Sequence, residues 1–500
     1  MMAYWLGIDC GGTWLKAGLY DALGRECAIV RQPLALISPC PGWAERDMRL
    51  LWQQCARAIR DLLAQSATAG QAIRGVGISA QGKGLFLLDK QDRPLGHAIL
   101  SSDRRAQAIV QRWQRDGVAQ RLYPLTRQAL WSGHPATLLR WLKEHQPQRY
   151  RQIGCVLMAH DYLRWCLSGV KGGELSNMSE SNLYSMADAG FDSRLTAWLG
   201  IAEMDAALPP LVGSSQVCAA VSPEAAALTG LRPGTPLVGG LFDVVATALC
   251  AGLQDEHTLN AVMGTWAVTS GLADRLEEGE PYPYVYGHYA FPGRYIVHEA
   301  SPTSAANLEW LRAQWGDLPL EQVNRLVERL PRAGSDLFFL PFLYGSNAGA
   351  ALTGGFYGLQ ALHQRDHLLQ AVYEGVIFSH MTHLARMRAR FTQVRTLRVT
   401  GGPARSRPWM QMLADASGLP VALPQVEETG CMGAAMMAQA GIDGGIDAAL
   451  WQPSAPQILY PDPAIYAAYQ AKYQRYQSLT VALRDWHAAS AAREQQEEPQ

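Results

Sequence analysis

The stretch GIDCGGTWLK, residues 7–16, decides how the chain begins to fold. An apolar run of buried-strand type leads into it at 3–9 and an alternating pattern follows at 15–24, so we expect a strand, a glycine turn and a second, hairpin strand. Backbone amides in such a turn approach phosphate oxygens closely, because glycine carries no Cβ. Asp9, at the strand tip, is a carboxylate able to hold Mg²⁺ through water. An ordinary tight hairpin explains the same pattern equally well.

The pattern outside this hairpin predicts an α/β protein built from two similar halves. A helix is expected after Asp47, then strands at 73–79 and 84–88, then largely helical sequence to residue 170. In the second half, the strand–turn–strand at 259–271 contains an MGT that echoes the earlier CGGT. The predicted domains are 1–250 and 251–490, followed by a charged, disordered tail at 491–500.

Composition excludes several classes of protein. The 500 residues are too many for one core, and Lys+Arg (43) almost balance Asp+Glu (44) without a basic stripe, so nucleic acid is not an expected partner. No apolar stretch reaches ~18 residues and no basic leader precedes the first strand, so neither a membrane span nor a signal peptide is expected. Nine scattered cysteines predict reduced thiols and a cytoplasmic location. The oligomeric state stays open, with a homodimer as one option.

Two familiar phosphate motifs occur only in imperfect form. GISAQGKG (77–84) fits the P-loop spacing, but Gly84 stands where a hydroxyl is needed for magnesium, and a strand pattern follows it instead of a helix. GVGISA (75–80) matches a dinucleotide fingerprint but opens no helix. We therefore expect neither a P-loop nor a Rossmann site.

Two more glycine turns lie in the second half. The first includes Gly264 and Thr265; the second, VTGGPARS (399–406), places Gly401 and Gly402 at a strand end before a helix that starts near Ser406. A plain strand-to-helix turn is the alternative for the second. Together with the first hairpin, these turns favour a nucleotide cleft between two hinged domains.

Asp243 lies between a strand pattern and an apolar helix. It is either an N-cap or a general base that accepts a proton from a hydroxyl attacking phosphorus. Phosphoryl transfer needs one acid near the metal and another near the acceptor. Asp9 and Asp243 fit that division.

Taken in order, the motifs resemble those of the FGGY carbohydrate kinases, whose fold is a duplicated ribonuclease-H-like unit shared with hexokinase, actin and Hsp70. The resemblance covers nearly the whole chain. Its segments are GIDCGGTWLK (7–16), PGWAERD (41–47), GISAQGKG (77–84), ILSSDRR (99–105), HDYLRWCLSG (160–169), GGLFDVVATALCAG (239–252), FLPFLYG (339–345), AVYEGVIF (371–378), VTGGPARSRPWMQMLAD (399–415) and EETGCMGAA (427–435).

The resemblance implies an ATP- and Mg²⁺-dependent kinase of a small ketose, with Asp243 as the catalytic base and Asp9 as the metal-linked acid. With the glycine-turn reasoning above, the expected ATP-binding residues are Gly11, Gly12, Thr13, Lys16, Gly264, Thr265, Gly401, Gly402 and Ser406. The expected substrate-binding residues are Gln81, Lys83, Asp103 and Asp243. The fold implied is α/β, with an ATP and sugar cleft between two hinged domains.

Departures from the family pattern bear on the sugar. Where D-xylulose kinases read GQMHG, this chain has AQGKG (80–84), with Gly82 and Lys83 in place of the Met-His pair, and the usual Trp-Asn of ILWNDGR is Ser101-Ser102. The sequences of these motifs are most similar to those of L-xylulose kinases. L-xylulose, phosphorylated to its 5-phosphate, is therefore the first expectation. A keto-sugar acid such as 3-keto-L-gulonate comes next, ahead of D-xylulose and L-ribulose. Lys83 is either part of the sugar wall or a solvated loop charge.

Two other classes of protein remain as alternatives. The same fold serves ATP-binding sensors, but we expect a sensor to lack Asp9 or Asp243, and both are present. A hydrolase is disfavoured because no GxSxG nucleophile elbow occurs.

Overall fold

The computed structural model describes residues 3–264, 266–280, 282–346, 348–349, 352–446, 451 and 455–497, with the backbone alone from 491 onward. The chain forms two compact units. The first comprises Met1–Gly252, Ala273–Val297 and Val426–Ser454, and the second comprises Leu253–Leu272, His298–Gln425 and Ala455–Gln500. Both units are therefore discontinuous in sequence. The sequence-based division at residue 250, the cleft between domains and the disorder of 491–500 stay predictions.

The elements up to residue 252 alternate between strands and helices. The strands are β1 (Tyr4–Cys10), β2 (Trp14–Asp21), β3 (Glu26–Pro33), β4 (Glu45–Arg46), β5 (Ile73–Ala80), β6 (Phe86–Asp89), β7 (Ala98–Ile99), β8 (Ile153–Leu157), β9 (Gly173–Glu174), β10 (Tyr184–Ser185), β11 (Gly190–Phe191), β12 (Leu211–Val212), β13 (Val217–Ala220), β14 (Pro236–Val238) and β15 (Leu241–Phe242). The helices are α1 (Met48–Gln65), α2 (Gln107–Arg115), α3 (Val118–Thr126), α4 (Pro135–His145), α5 (Pro147–Gln152), α6 (Ala159–Ser168), α7 (Leu175–Met178), α8 (Ser193–Trp198), α9 (Pro223–Thr229) and α10 (Asp243–Cys250).

The later elements continue this alternation. The strands are β16 (Thr258–Met263), β17 (Ala267–Ala273), β18 (Val285–His288), β19 (Tyr295–Ser301), β20 (Phe338–Leu340), β21 (Gly355–Tyr357), β22 (Thr396–Thr400), β23 (Val421–Leu423) and β24 (Gln457–Leu459). The helices are α11 (Ala306–Ala313), α12 (Leu320–Val327), α13 (Arg365–Arg390), α14 (Arg407–Ser417), α15 (Thr429–Asp443) and α16 (Pro463–Glu497).

The main sheets of the two units repeat one topology. In the first, β1 pairs antiparallel with β2 and parallel with β5, β5 pairs parallel with β14, and β14 pairs antiparallel with β13. In the second, β16 stands in the same relation to β17 and β22, β22 to β23, and β23 to β24. The internal repeat suggested by MGT and CGGT is thus confirmed at the level of strand order. Each repeat opens with a hairpin whose turn carries one of the predicted glycine motifs.

Local predictions around the first hairpin hold well. Asp47 caps α1, and its side chain accepts hydrogen bonds from the amides of Arg49 and Leu50. The α1 helix packs its apolar face on β2 and β3 because its buried residues recur at helical spacing. The helical stretch expected up to residue 170 is interrupted by β8, which pairs with β6. No helix in the described part of the chain is long and apolar enough to cross a membrane. All nine cysteines lie in that part and are free thiols.

Candidate active site

The glycine turn between β1 and β2 is held by a buried arginine. Arg46 donates from Nη1 to the carbonyl of Gly11 (3.1 Å) and from Nη2 to the carbonyl of Gly12 (2.5 Å). In a trans peptide the N–H points opposite to the C=O, and the described chain has no cis bonds. The amides of Gly12 and Thr13 therefore face away from the guanidinium, and both residues are exposed. The two N–H groups are thus positioned to bind an anion, and their contact with phosphate stays a prediction.

Asp9 lies beneath this turn in a poorly solvated position. Its Oδ1 is buried and has no hydrogen-bond partner within the described residues. Burial raises the pKa of Asp9 to about 6, against the lowering effect of Lys16, and Glu428 raises it further. A carboxylate oxygen left without a protein partner is a suitable ligand for a cation or its bound water.

The start of α15 closes over Asp9. A Cβ on Gly430 would lie 2.3 Å from Asp9 Cγ and 2.6 Å from each carboxylate oxygen, so only glycine fits here. Glu428, just before the helix, binds Lys16 (2.7 Å) and Arg31 (2.6 Å). Lys16, predicted to touch the nucleotide, is therefore already ion-paired, and its phosphate contact stays a prediction.

Asp243 is the first residue of α10, and the N-cap is Phe242. The N-cap interpretation of Asp243 is therefore wrong, which leaves its carboxylate available for chemistry. Burial raises the pKa of Asp243 to about 7; Asp9 and Glu180 raise it, whereas the amide of Val244 and the charge of Lys83 lower it. The two acids, Asp9 and Asp243, thus feel each other's charge within one unit. A carboxyl group with a pKa near 7 has the properties of a general base at neutral pH.

Lys83 is not a solvated loop charge. Its Nζ lies 2.6 Å from Glu180 Oε2, with the lysine side chain 18% exposed and that of Glu180 0%. Its backbone has φ 63°, and its amide donates to Asn177 Oδ1 (2.9 Å). Nearby His134 is buried, with Nδ1 2.7 Å from Asn182 Nδ2, and desolvation together with Lys83 lowers its pKa to about 3. The imidazole is therefore neutral beside a charged pair.

Gln81 and Gly82 connect this pair to the phosphate turn. The amide of Gln81 donates to the carbonyl of Cys10 (3.0 Å), and its Nε2 is buried with no partner among the described residues. A Cβ on Gly82 would lie 2.3 Å from Phe242 Cε2, so the Phe242 ring occupies the space that a larger residue would need. Lys83 Nζ lies 5.1 Å from the centroid of that ring. A methionine at Gly82 would require Phe242 to move.

Asp103, which was expected to bind the sugar, binds other protein groups through both of its carboxylate oxygens. Its Oδ2 accepts from the amide of Ala44 (2.6 Å) and from Arg105 Nη2 (2.8 Å), while its Oδ1 accepts from Arg105 Nε (2.9 Å). The residue is 0% exposed. Because both oxygens are occupied and the residue is inaccessible, this geometry does not favour a direct contact of Asp103 with the sugar, which stays a prediction. Asp103 instead holds Arg105, which also binds Glu45 and stacks on Trp43 at 3.8 Å.

The turns predicted in the second half lie in the second unit. Gly264 directly follows β16, and Gly401 has φ 102° with a Cβ position 2.3 Å from the carbonyl oxygen of Met263. Gly402 has open space around its Cβ position. Ser406 is fully buried, caps α14 through the amide of Trp409 and donates to Asn324 Oδ1 (2.6 Å), which does not favour a direct adenosine contact. Thr265 lies outside the described residues, as does Asn347 in the segment GSNAG (345–349).

Comparison with known proteins decides what this arrangement belongs to. The model of the N-terminal domain of the FGGY family of carbohydrate kinases matches residues 4–250, and that of the C-terminal domain matches residues 259–442. The chain belongs to the FGGY family of carbohydrate kinases. It is therefore a phosphotransferase that acts on a sugar hydroxyl, and its family implies ATP as the phosphoryl donor.

Individual FGGY proteins are similar to this chain over nearly its whole length. The chain is 65% identical to the L-xylulose/3-keto-L-gulonate kinase of Escherichia coli, over 98% of this chain and 99% of that protein. It is 54% identical to a probable L-xylulose kinase of Pasteurella multocida, over 97% and 99%. Its fold is similar to the xylulose kinase structure from Rhodospirillum rubrum, with a TM-score of 0.88, 26% identity, and 97% and 99% of the two chains covered. The expected fold class, with sheets in both domains, is confirmed.

Three residues of this candidate site were not predicted from the sequence. Arg46 was visible as part of the GWAERD segment, and Gly430 as part of EETG, but neither pattern says what the side chain or the missing Cβ contacts. Glu180 carried no signal, because it lies 97 positions from Lys83 in a polar stretch without periodicity. Long-range partners of this kind become visible only in the folded chain.

Proposed function

We propose that the chain transfers the γ-phosphoryl group of ATP to the C5 hydroxyl of L-xylulose, with Asp243 as general base. The observation that carries this is the carboxyl of Asp243, whose pKa of about 7 arises from burial beside Asp9, with Lys83 within its electrostatic reach. The sugar is taken from the similarity to the Escherichia coli and Pasteurella multocida kinases. The free thiols support a cytoplasmic location.

The chemistry proposed needs one proton transfer and one exchange of P–O bonds. As the C5 oxygen attacks the γ-phosphorus, its proton passes to Asp243, a P–O bond to the sugar forms, and the bond to the ADP oxygen breaks. The amides of Gly12 and Thr13 hold phosphate oxygens, since Arg46 turns them toward the exposed side of the turn. Most of the rate enhancement comes from this positioning.

Asp9 fits a role toward Mg²⁺. The described residues contain no group of three or more His, Cys, Asp or Glu side chains able to hold a metal ion. One buried, unpartnered carboxylate oxygen suits an ion that keeps most of its ligands as water and ATP phosphates. Bound there, Mg²⁺ would neutralise charge on the phosphates.

A keto-sugar acid is the second candidate, because the Escherichia coli relative is named for 3-keto-L-gulonate as well. The Nζ of Lys83 is already bound by Glu180 at 2.6 Å. A substrate carboxylate would have to share that lysine with a buried glutamate, whereas a hydroxyl adds no negative charge. The uncharged ketopentose is therefore placed first.

The substrate assignment is tested by a coupled ADP-release assay across ketopentoses and keto-sugar acids at equal concentrations. L-xylulose is expected to give the highest kcat/KM, and one equivalent of sugar phosphate should form per ADP. A higher kcat/KM for D-xylulose, or ADP release that no sugar stimulates, would contradict the proposal.

The raised pKa of Asp243 gives an expected pH dependence. The base works only as a carboxylate, so kcat/KM for the sugar should rise about tenfold per pH unit up to pH ~7 and then level off. An aspartate of ordinary pKa would place this limb near pH ~4. The pH–rate profile of the wild-type protein measures the midpoint. A profile that stays flat down to pH ~5 would exclude a base whose pKa is raised to about 7.

A contact between Lys83 and the sugar is tested with its ion-pair partner removed as well. Lys83→Met alone leaves the buried carboxylate of Glu180 without its lysine partner, which destabilises the fold by ~3–5 kcal/mol and would mask an effect on the sugar. The double variant Lys83→Met/Glu180→Gln removes both charges. If Lys83 donates to a sugar hydroxyl, we expect the double variant to lose roughly ten- to a hundredfold in kcat/KM for L-xylulose, while KM for ATP stays unchanged.

Glu180→Gln alone and the thermal unfolding of all three variants serve as controls. Recovery of normal kcat/KM in the double variant would mean that Lys83 serves only to neutralise Glu180. Other residues near Phe242 would then have to determine which sugar is preferred.

A further inference from the structure

The segment that precedes Asp243, residues 239–242, is held by hydrogen bonds to buried groups of the same unit. Arg164 donates to the carbonyl of Gly239, and the amide of Gly240 donates to the carbonyl of Ser214 (3.0 Å). The amide of Phe242, the residue just before Asp243, donates to Ser176 Oγ (2.9 Å). Among these hydrogen bonds, the one from Phe242 lies nearest to the proposed base, and Phe242 is also paired with Ala80 of β5.

A buried carboxylate determines the direction in which the Ser176 hydroxyl donates its hydrogen bond. It donates to Glu174 Oε2 (2.7 Å), and both residues are 0% exposed. Glu174 also accepts from the amide of Ser176 (2.8 Å) and from Ser214 Oγ (2.6 Å). A hydroxyl has one proton, so a hydroxyl that donates to a carboxylate keeps its lone pairs for an incoming N–H. Ser176 Oγ therefore acts as the acceptor in its hydrogen bond with the amide of Phe242.

The same short helix, α7 (Leu175–Met178), also holds the sugar side of the site. The residue after Ser176 is Asn177, whose Oδ1 accepts the amide of Lys83 at 2.9 Å. Adjacent residues of one helical turn therefore bind the segment before the base and the segment of the sugar wall. The backbone of α7 therefore helps to set the distance between these two segments.

We propose that Ser176 is a positioning residue for the general base: its hydroxyl, oriented by Glu174, fixes the amide of Phe242 and so the place of the Asp243 carboxylate relative to Lys83. Ser176 itself touches neither reacting atom. This inference rests on the proposed role of Asp243.

Ser176→Ala and Ser214→Ala form a matched pair of variants. Each removes one hydroxyl bond to Glu174, at 2.7 and 2.6 Å, but only Ser176→Ala also releases the amide of Phe242. Both should lower the unfolding temperature, Ser176→Ala by more because it also leaves the amide of Phe242 without its acceptor. Only Ser176→Ala should lower kcat, by about tenfold or more, with KM for ATP unchanged, because small displacements of a catalytic group are costly. Ser176→Thr, which keeps the hydroxyl, should recover most of this loss.

Hydrogen exchange of the Phe242 amide gives a second readout, faster in Ser176→Ala and unchanged in Ser214→Ala. Equal kcat in the two alanine variants, or no recovery in a folded Ser176→Thr, would overturn the inference. If Ser176→Ala does not fold, Ser176→Cys replaces it, and its weakly accepting thiol should give an intermediate kcat. Wild type and Asp243→Asn are assayed in parallel. Equal activity of those two would refute the proposed base itself, whereas a loss in Asp243→Asn without one in Ser176→Ala would refute only the positioning role.

Discussion

Replacing Asp243 with alanine should lower kcat by about 10²–10⁴-fold at saturating L-xylulose and ATP, because the attacking hydroxyl loses the group that accepts its proton. Binding of ATP should persist, since Asp243 is proposed to face the acceptor sugar. The measurements are ADP release for kcat and calorimetry for ATP affinity. Asp243→Asn should show the same loss, because the amide has nearly the shape of the carboxylate but no basicity.

Asp205→Asn is a matched control for this prediction. Asp205 is an exposed aspartate in the same unit. The control should keep wild-type kcat and unfolding temperature. Near-normal turnover of Asp243→Ala under saturating sugar would show that another group, or none, takes the proton.

Gly430→Ala should damage activity strongly although it adds only one methyl group. Its Cβ would lie 2.3 Å from Asp9 Cγ, and the obstacle is the Asp9 carboxylate, which is carried on a short side chain near the end of β1. The carboxylate of Asp9 must therefore move, and a displacement of about 1 Å at a group that positions the nucleotide costs about 10²-fold in rate. We expect kcat to fall by about that factor, and the Mg²⁺ concentration giving half-maximal rate to rise.

Gly445→Ala is the matched control, since Gly445 lies just beyond the same helix and nothing is within 4 Å of its Cβ position. It should leave both quantities unchanged. A Gly430→Ala protein with normal kcat and normal Mg²⁺ dependence would mean that Asp9 has no part in holding the metal. Thermal unfolding separates a local displacement of Asp9 from general loss of structure.

Local features of the site could be predicted from the sequence because they depend on neighbours in the chain. The turn at Gly11 and Gly12 follows from a strand pattern on each side, and the cap at Asp47 from one residue before an apolar helix. The position of Asp243 at a helix start was equally predictable. Its distinction from an N-cap was not, because one residue of shift decides it and boundaries are less certain than elements.

Contacts made over long sequence separations could not be predicted. Asp103 has the residue type expected of a sugar ligand, but the fold buries it against Ala44 and Arg105, which leaves it no free lone pair facing a substrate. Lys83 was ambiguous between a solvated and a desolvated lysine until its partner, Glu180, was known. In both cases the tertiary environment, and not the residue type, determines which interaction is made.

The most direct test of the central claim is a crystal structure of the protein with L-xylulose and a non-hydrolysable ATP analogue. The account predicts that the C5 hydroxyl oxygen lies ~2.6–3.2 Å from a carboxylate oxygen of Asp243, with the γ-phosphorus in line on its other side. It also predicts that the amide of Phe242 still donates to Ser176. A C5 hydroxyl bound by another residue, with Asp243 beyond hydrogen-bonding or single-water reach, would contradict the account.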